Sequence, residues 1–251
     1  MICVKAKGDD TSMRAIILAA GRGSRMENAT SDKPKCLLEI KGKSLIQYQI
    51  EALEAAGVSK IGVVTGYLAE RLESLSLTKF HNDEWYETNM VCSLMRAETW
   101  LSTYPCVVSY SDIFYESAII KSLSKANCDV AIAYDPDWKN LWNKRFDNPL
   151  EDAETFKISA ESTLLEIGEK TLDIDSIQGQ YMGLLKFKPD GWKDIAETIH
   201  DLVQRKSKNI HLTEVLQEAL KNGTKVQAVP NFDKWGEVDS QSDLELYNLA
   251  P

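Results

Sequence analysis

The sequence predicts an α/β protein whose mixed, mainly parallel sheet is flanked by helices, and three observations carry that expectation. Residues 13–20 form a continuous apolar run that stops at Gly21, the pattern of a strand buried on both faces. Strand-like runs then alternate with helix-period segments, which is how βαβ units read. Finally, 43% hydrophobic and 27% charged residues over 251 positions supply one sizeable core without the polarity of a disordered chain.

After the first strand, residues 44–56 read as a helix. Ser44 and Gln47 match a capping box, Ile46, Ile50 and Leu53 share a face, and Gly57 supplies the stop. Residues 61–65 read as a strand, 69–75 as a short helix and 89–101 as a longer one. The alternation continues with a strand at Cys106–Tyr110, a helix over 116–125 and a strand over 129–134. Residues 136–150, rich in Trp, Asn, Asp and Lys, predict irregular backbone. Strand-like runs at 156–160, 163–168 and 179–187 predict a meander or insertion beside the sheet. Leu212, Val215, Leu216, Ala219 and Leu220 share one face of a helix over 213–221 that Gly223 ends. A strand over 225–229 and a helix at Gln241–Leu249 complete the chain. No repeat, low-complexity tract or linker intervenes, so one domain is expected over 13–251. A substrate-facing subregion falls near 136–187, and residues 1–12 read as an N-terminal extension.

Composition excludes several functions. A net charge of −9 disfavours non-specific nucleic-acid binding, which needs surplus cations. The longest apolar run, 15–20, is too short to cross a bilayer. Five scattered cysteines without a C-x-x-C pair argue against a disulfide framework or zinc site, and the three histidines show no metalloprotease spacing. Residues 1–12 lack the apolar stretch of a secretory signal, so a cytosolic protein is expected. Oligomeric state is open, a homo-oligomer being compatible with the sequence.

The informative segment is Leu18-Ala19-Ala20-Gly21-Arg22-Gly23-Ser24-Arg25-Met26. Its glycines let the backbone turn tightly and present N–H groups to an anion, and Arg25 adds a multi-donor cation. Met26 stands where a dinucleotide fingerprint needs a third glycine, and Leu37 where a P-loop ending at Gly42-Lys43-Ser44 needs its first, so both motifs are rejected. Lys33-Pro34-Lys35 alone reads as a solvated turn; beside the glycine loop, Lys35 comes within reach of the same phosphates.

The combination L-A-A-G-x-G-x-R…P-K resembles the signature of nucleotidyltransferases that join a nucleoside triphosphate to a phosphorylated acceptor. The resemblance implies a Rossmann-like nucleotidyltransferase fold and a Mg²⁺ cofactor held by Asp112 and Asp239, whose hard oxygens suit that ion. Leu18, Ala19, Ala20, Gly21 and Gly23 would cradle the nucleotide, Arg25 the triphosphate and Lys35 the charge at the transferring phosphate. Asp112 also reads as a strand-end turn residue, and Asp239 as part of a helix cap with Ser240 and Asp243. The segment His81-Asn82-Asp83-Glu84-Trp85-Tyr86…Thr88-Asn89-Met90…Ser93 is similar to the stretch of phosphocholine cytidylyltransferase relatives that passes base and sugar. Asn89 and Ser93 are thus nucleotide candidates, with helix capping as the simpler explanation of polarity there.

Residues 141–154 and 177–184 resemble the cytidylyltransferases that act on L-glutamine phosphate in capsular phosphoramidate biosynthesis. CTP and a small phosphorylated acceptor are the implied substrates. An ammonium group favours aromatic walls and carboxylates, which Trp138, Trp142, Trp235 and Glu237 supply, while Lys144-Arg145 suggests an anionic feature on the acceptor; Tyr181 joins this set. Core tryptophans and a solvated Lys144-Arg145 loop explain these residues equally well. A phosphocholine or 2-aminoethylphosphonate cytidylyltransferase, a sugar-1-phosphate nucleotidyltransferase and a nucleotide-binding regulator without turnover are the competing functions.

Overall fold

The computed structural model describes residues 12–206 and 208–249, so the expected extension lies outside the described residues apart from Ser12. β1 (Arg14–Ala19) is buried from Ala15 onward, as a strand covered on both faces must be. It leads through Gly21 into two 3-10 turns, Ser24–Thr30 and Lys35–Leu37. β2 (Glu39–Ile40) and β3 (Lys43–Ser44) form a small hairpin. Its turn residues Lys41 and Gly42 both take positive φ, 50° and 77°, which matches the twist of the flanking strands. α1 (Leu45–Ala55) starts where expected, with Ser44 Oγ accepting from Gln47 N at 3.3 Å. The reciprocal half of the capping box is absent, because the Gln47 amide donates to Glu51.

β4 (Lys60–Thr65) follows, then a 3-10 turn at Ala69–Leu72 in place of the helix expected over 69–75. β5 (Thr78–His81) is a partly exposed edge strand with no apolar run to announce it. The helix expected over 89–101 divides into α2 (Met90–Met95) and α3 (Glu98–Leu101). At the break, Arg96 turns its guanidinium back to Asn82 and Glu84. β6 (Cys106–Tyr110) meets its expectation and precedes β7 (Ile113–Tyr115), α4 (Ser117–Lys125) and β8 (Val130–Asp135).

Residues 136–150 are not irregular: they contain α5 (Trp138–Arg145). This helix is polar apart from Leu141 and the buried Trp138 and Trp142, a stripe too short to register as periodicity. β9 (Phe156–Ile158) and β10 (Leu164–Ile167) pair as a separate antiparallel ribbon. β11 (Gln180–Phe187) does not lie beside the sheet but inside it, antiparallel between β8 and β6. All of it but Tyr181 is buried, as a central strand requires. α6 (Pro189–Arg205) meets no expectation, although Trp192, Ile195, Ile199 and Leu202 mark a buried face at helical spacing. α7 (Leu212–Lys221), β12 (Val226–Pro230), β13 (Trp235–Glu237) and α8 (Gln241–Leu249) follow.

The seven-stranded sheet has the order β12-β8-β11-β6-β1-β4-β5, parallel throughout except at β11. The predicted mixed, mainly parallel sheet is therefore present. Its strands β1 and β6 both end at the same edge, beside the β7–β13 ribbon, which is where ligands bind in open α/β sheets. A small apolar cluster of Met26, Leu38, Ile40, Leu45, Phe114 and Val238 underlies that edge, apart from the main core. It anchors the chain next to Arg25, Lys35 and Asp239. Among the described residues no helix is long and apolar enough to cross a membrane.

β11 is bulged between Tyr181 and Leu185. Within the bulge Gly183 has φ +72°, and a Cβ there would come within 2.7 Å of the Tyr110 ring. Gly183→Ala should therefore cost about 2 kcal/mol, read as a drop of several degrees in Tm. An unchanged Tm would show that the bulge relaxes freely.

Candidate active site

The glycine loop and the ends of β1 and β6 enclose a cavity of about 260 Å³. Leu18, Ala20, Gly21, Gly23 and Arg25 line it from the first segment, Lys35 and Asp112 join them, and Trp85, Thr88, Asn89, Met90 and Ser93 line it from the 85–93 segment. Ala19, expected with them, faces the core and is buried. A Cβ at Gly21 would meet nothing within 4 Å, so its backbone lies open to a ligand. Gly23 differs: it has φ +69°, and a Cβ would sit 2.9 Å from the Lys35 stem. Only glycine permits both that turn and that approach.

Lys35 Nζ lies 2.8 Å from Asp112 Oδ2 and 2.5 Å from Asp239 Oδ1, and Arg25 Nη1 lies 3.1 Å from Asp239 Oδ2. Burial alone would lower the Lys35 pKa, but the two carboxylates reverse the effect and raise it to about 12. It is an ammonium ion at any physiological pH. Glu237 joins the two aspartates in a cluster whose oxygens lie within 4.8 Å of one another. Burial and the neighbouring Asp239 push the Glu237 carboxyl above its ordinary range, against the opposing pull of Arg145. Asp112 Oδ1 is buried without a hydrogen-bond partner. Three converging carboxylates with one unsatisfied oxygen fit a hard divalent cation, for which Asp112, Asp239 and Glu237 are the available ligands.

A polar network supports the 85–93 segment. Asn82, fully buried, donates to Thr88 and Ser93 at 2.9 and 3.1 Å. Asn89 caps α2 by accepting from Val91 N at 3.1 Å, and its amide also donates to Ile210 O. Both capping and a place on the cavity wall therefore hold for Asn89.

A second cavity of about 190 Å³ adjoins the first and shares Arg25, Met90 and Tyr110 with it. Glu237 and Asp239 line it, together with Tyr181, Trp142, Asp152, Glu154, Gln180, His211 and Thr213. The other expected acceptor residues lie elsewhere. Trp138 is a core residue whose indole donates to Ile177 O at 3.4 Å. Trp235 is buried, donating to Asp135 Oδ2 at 2.9 Å. Lys144 points to solvent from α5 and lines neither cavity. Arg145 faces the opposite way, its side chain 0% exposed and bonded to Glu237 and Asp243, so it is not free to receive an acceptor. The residue that sequence reasoning missed is Glu154. Its backbone is held at both ends by the Gln180 amide, at 3.1 and 2.6 Å, and burial raises its carboxyl pKa. The acidic run Glu151-Asp152-Ala153-Glu154 was its only signal.

Residues 15–166 match the MobA-like NTP transferase domain. The chain is 37% identical over 254 residues to the CTP:phosphoglutamine cytidylyltransferase of Campylobacter jejuni, spanning 93% of this chain and 98% of that protein. It is 31% identical over 134 residues to the choline-phosphate cytidylyltransferase of Streptococcus pneumoniae, covering 52% of this chain and 57% of that one. In fold it resembles the solved CTP:phosphocholine cytidylyltransferase of Streptococcus pneumoniae, with a TM-score of 0.73 at 20% identity over 94% of this chain and 97% of that one.

Lys35→Met should lower kcat by about two to three orders of magnitude with a smaller change in the nucleotide KM. Without divalent cation it should also destabilise the fold by roughly 3 kcal/mol, since the carboxylates then face one another uncompensated, and added cation should restore part of that loss. The folded-state pKa of Lys35 is raised from 10.5 to about 12, so its contribution to stability is full below pH 10.5 and is lost as pH rises through 12. Alkaline melts of the variant should lack that limb. Wild-type turnover in the variant would remove Lys35 from the chemistry.

Proposed function

The chain belongs to the MobA-like NTP transferase family, and we propose that it transfers CMP from CTP to a small amine-bearing phosphorylated acceptor, L-glutamine phosphate being the favoured one. The observation that carries this reading is the pair of adjoining cavities that meet at Arg25 and the carboxylate cluster. The glycine-loop cavity suits the nucleotide and the second suits the acceptor.

An acceptor phosphate oxygen attacks the α-phosphorus, the bond to the β-phosphate oxygen breaks, and pyrophosphate leaves. The nucleophile is already anionic, so no general base is needed, and catalysis rests on position and charge. Gly21 and Gly23 present backbone to the triphosphate, and Arg25, with its side chain 71% exposed, is able to follow phosphates into either cavity. Lys35 stands where negative charge builds at the transferring phosphate. Mg²⁺ held by Asp112, Asp239 and Glu237 would neutralise and polarise the phosphate oxygens.

In the second cavity, Glu154 and Asp152 suit an ammonium group, with Trp142 and Tyr181 as apolar walls. The relatives act on phosphoglutamine and choline-phosphate by name, and both acceptors carry such a cation. The similarity to the phosphoglutamine enzyme runs over nearly both whole chains, which favours that acceptor. A cytosolic setting agrees with the free thiols of Cys36, Cys92, Cys106 and Cys128.

Pyrophosphate release, measured with Mg²⁺, each NTP and a panel of L-glutamine phosphate, phosphocholine, 2-aminoethylphosphonate and glucose 1-phosphate, tests the assignment. The highest kcat/KM should come from CTP with L-glutamine phosphate. Better turnover of phosphocholine would reassign the acceptor, and preference for a sugar phosphate with another NTP would overturn the cytidylyltransferase reading.

Glu154→Gln should raise the acceptor KM by roughly 10–100-fold and leave the CTP KM unchanged. Because burial raises the Glu154 carboxyl pKa, wild-type acceptor binding should weaken with falling pH at a higher pH than an ordinary glutamate would give. The variant should lose that dependence.

A further inference from the structure

We propose that Arg145, on α5, is a positioning residue that holds two of the three clustered carboxylates in place, one through its side chain and one through its backbone. The proposal rests on the reading of Asp112, Glu237 and Asp239 as cation ligands. Arg145 lines neither cavity, and its side chain is wholly enclosed, with the guanidinium 5.4 and 5.1 Å from the ring centroids of Trp142 and Phe146.

Nη1 donates to Glu237 Oε2 at 2.8 Å. Nε and Nη2 form a fork on Asp243, at 2.9 Å to Oδ1 and 3.3 Å to Oδ2. Asp243 Oδ2 in turn accepts from Asp239 N, Ser240 N and Ser240 Oγ, each at 2.9 Å. Arg145 therefore grips Glu237 directly and the Asp239 backbone through one intervening carboxylate. A planar fork is needed for this geometry, because a lysine ammonium cannot span both partners in the same fixed directions. Outer partners of this kind orient metal ligands, and their loss typically costs about 10–100-fold in metal affinity.

The test compares Arg145→Lys, which keeps the charge and loses the fork, with Asp243→Asn, which keeps an acceptor for the backbone and loses the ion pair. Lys144→Ala, the exposed neighbour, is the control. Mn²⁺ binding to the full chain is followed by electron paramagnetic resonance, and steady-state kinetics use CTP with L-glutamine phosphate. Both variants should bind Mn²⁺ roughly tenfold or more weakly. Their kcat should fall at least as far, with the acceptor KM changed less than about threefold. Lys144→Ala should match the wild type.

Unchanged Mn²⁺ affinity in the folded variants would overturn the positioning role. A raised acceptor KM at unchanged Mn²⁺ affinity would do the same and return Arg145 to acceptor binding. Should Arg145→Lys fail to fold, Asp243→Asn decides by the same readouts. If the wild type itself holds no Mn²⁺ at this cluster, the cation-site reading falls and the positioning role falls with it.

Discussion

One ammonium group shared by two carboxylates holds this site together. Lys35 joins the 3-10 turn after the glycine loop to the end of β6 and to the segment after β13. Without that charge, Asp112, Glu237 and Asp239 would crowd within 4.8 Å of one another, and like charges at such range are strongly disfavoured. Other features follow from it. Gly23 must lack a side chain because the Lys35 stem lies against it. The small apolar cluster from Met26 to Val238 fixes the three segments that the ammonium bridges.

The cations around the cluster are graded by exposure. Arg145 is enclosed, Lys35 is 8% exposed and Arg25 71%. Three donors of the enclosed guanidinium are committed to Glu237 and Asp243, and it lines neither cavity. The intermediate ammonium meets the cavity yet is tied to carboxylates. Arg25 loses little solvation or packing by moving, and exposed ion pairs of its kind are weak. It alone of the three lines both cavities. The three cations thus differ in freedom: one is enclosed behind the carboxylates, one is tied to them at the cavity, and one is free to move between the two cavities.

Much of this was legible in the sequence for identifiable reasons. β1 and β6 announce themselves by apolar runs, and α1 and α7 by periodicity with clear ends. The resemblance carried by the glycine loop implies Arg25, Lys35, Asp112 and Asp239 as a set, and the structure brings their side chains together. Direction of side chains was not legible. Lys144 and Arg145 are adjacent in sequence and so point to different sides of α5, one to solvent and one inward. Trp138 and Trp235 suit an ammonium site in composition, yet their indoles are buried on Ile177 and Asp135. Glu154 stands in an acidic run that singles out none of its members, because what selects it is the Gln180 amide, 26 residues away. β11 was misplaced because the runs before it look like its partners, whereas they pair with each other.

The two bonds of Lys35 span very different stretches of chain, 77 residues to Asp112 and 204 to Asp239. Loop-closure entropy grows only with the logarithm of length, so the longer closure costs about 0.9 kcal/mol more than the shorter. Scattering the reactive groups along the chain is therefore almost free at equilibrium. Its cost is in time, since folding slows as contacts become more distant in sequence. The glycine-loop cavity, lined by residues 18–35 and 85–112, draws on nearer neighbours, whereas the carboxylate cluster is completed only by the segment carrying Glu237 and Asp239.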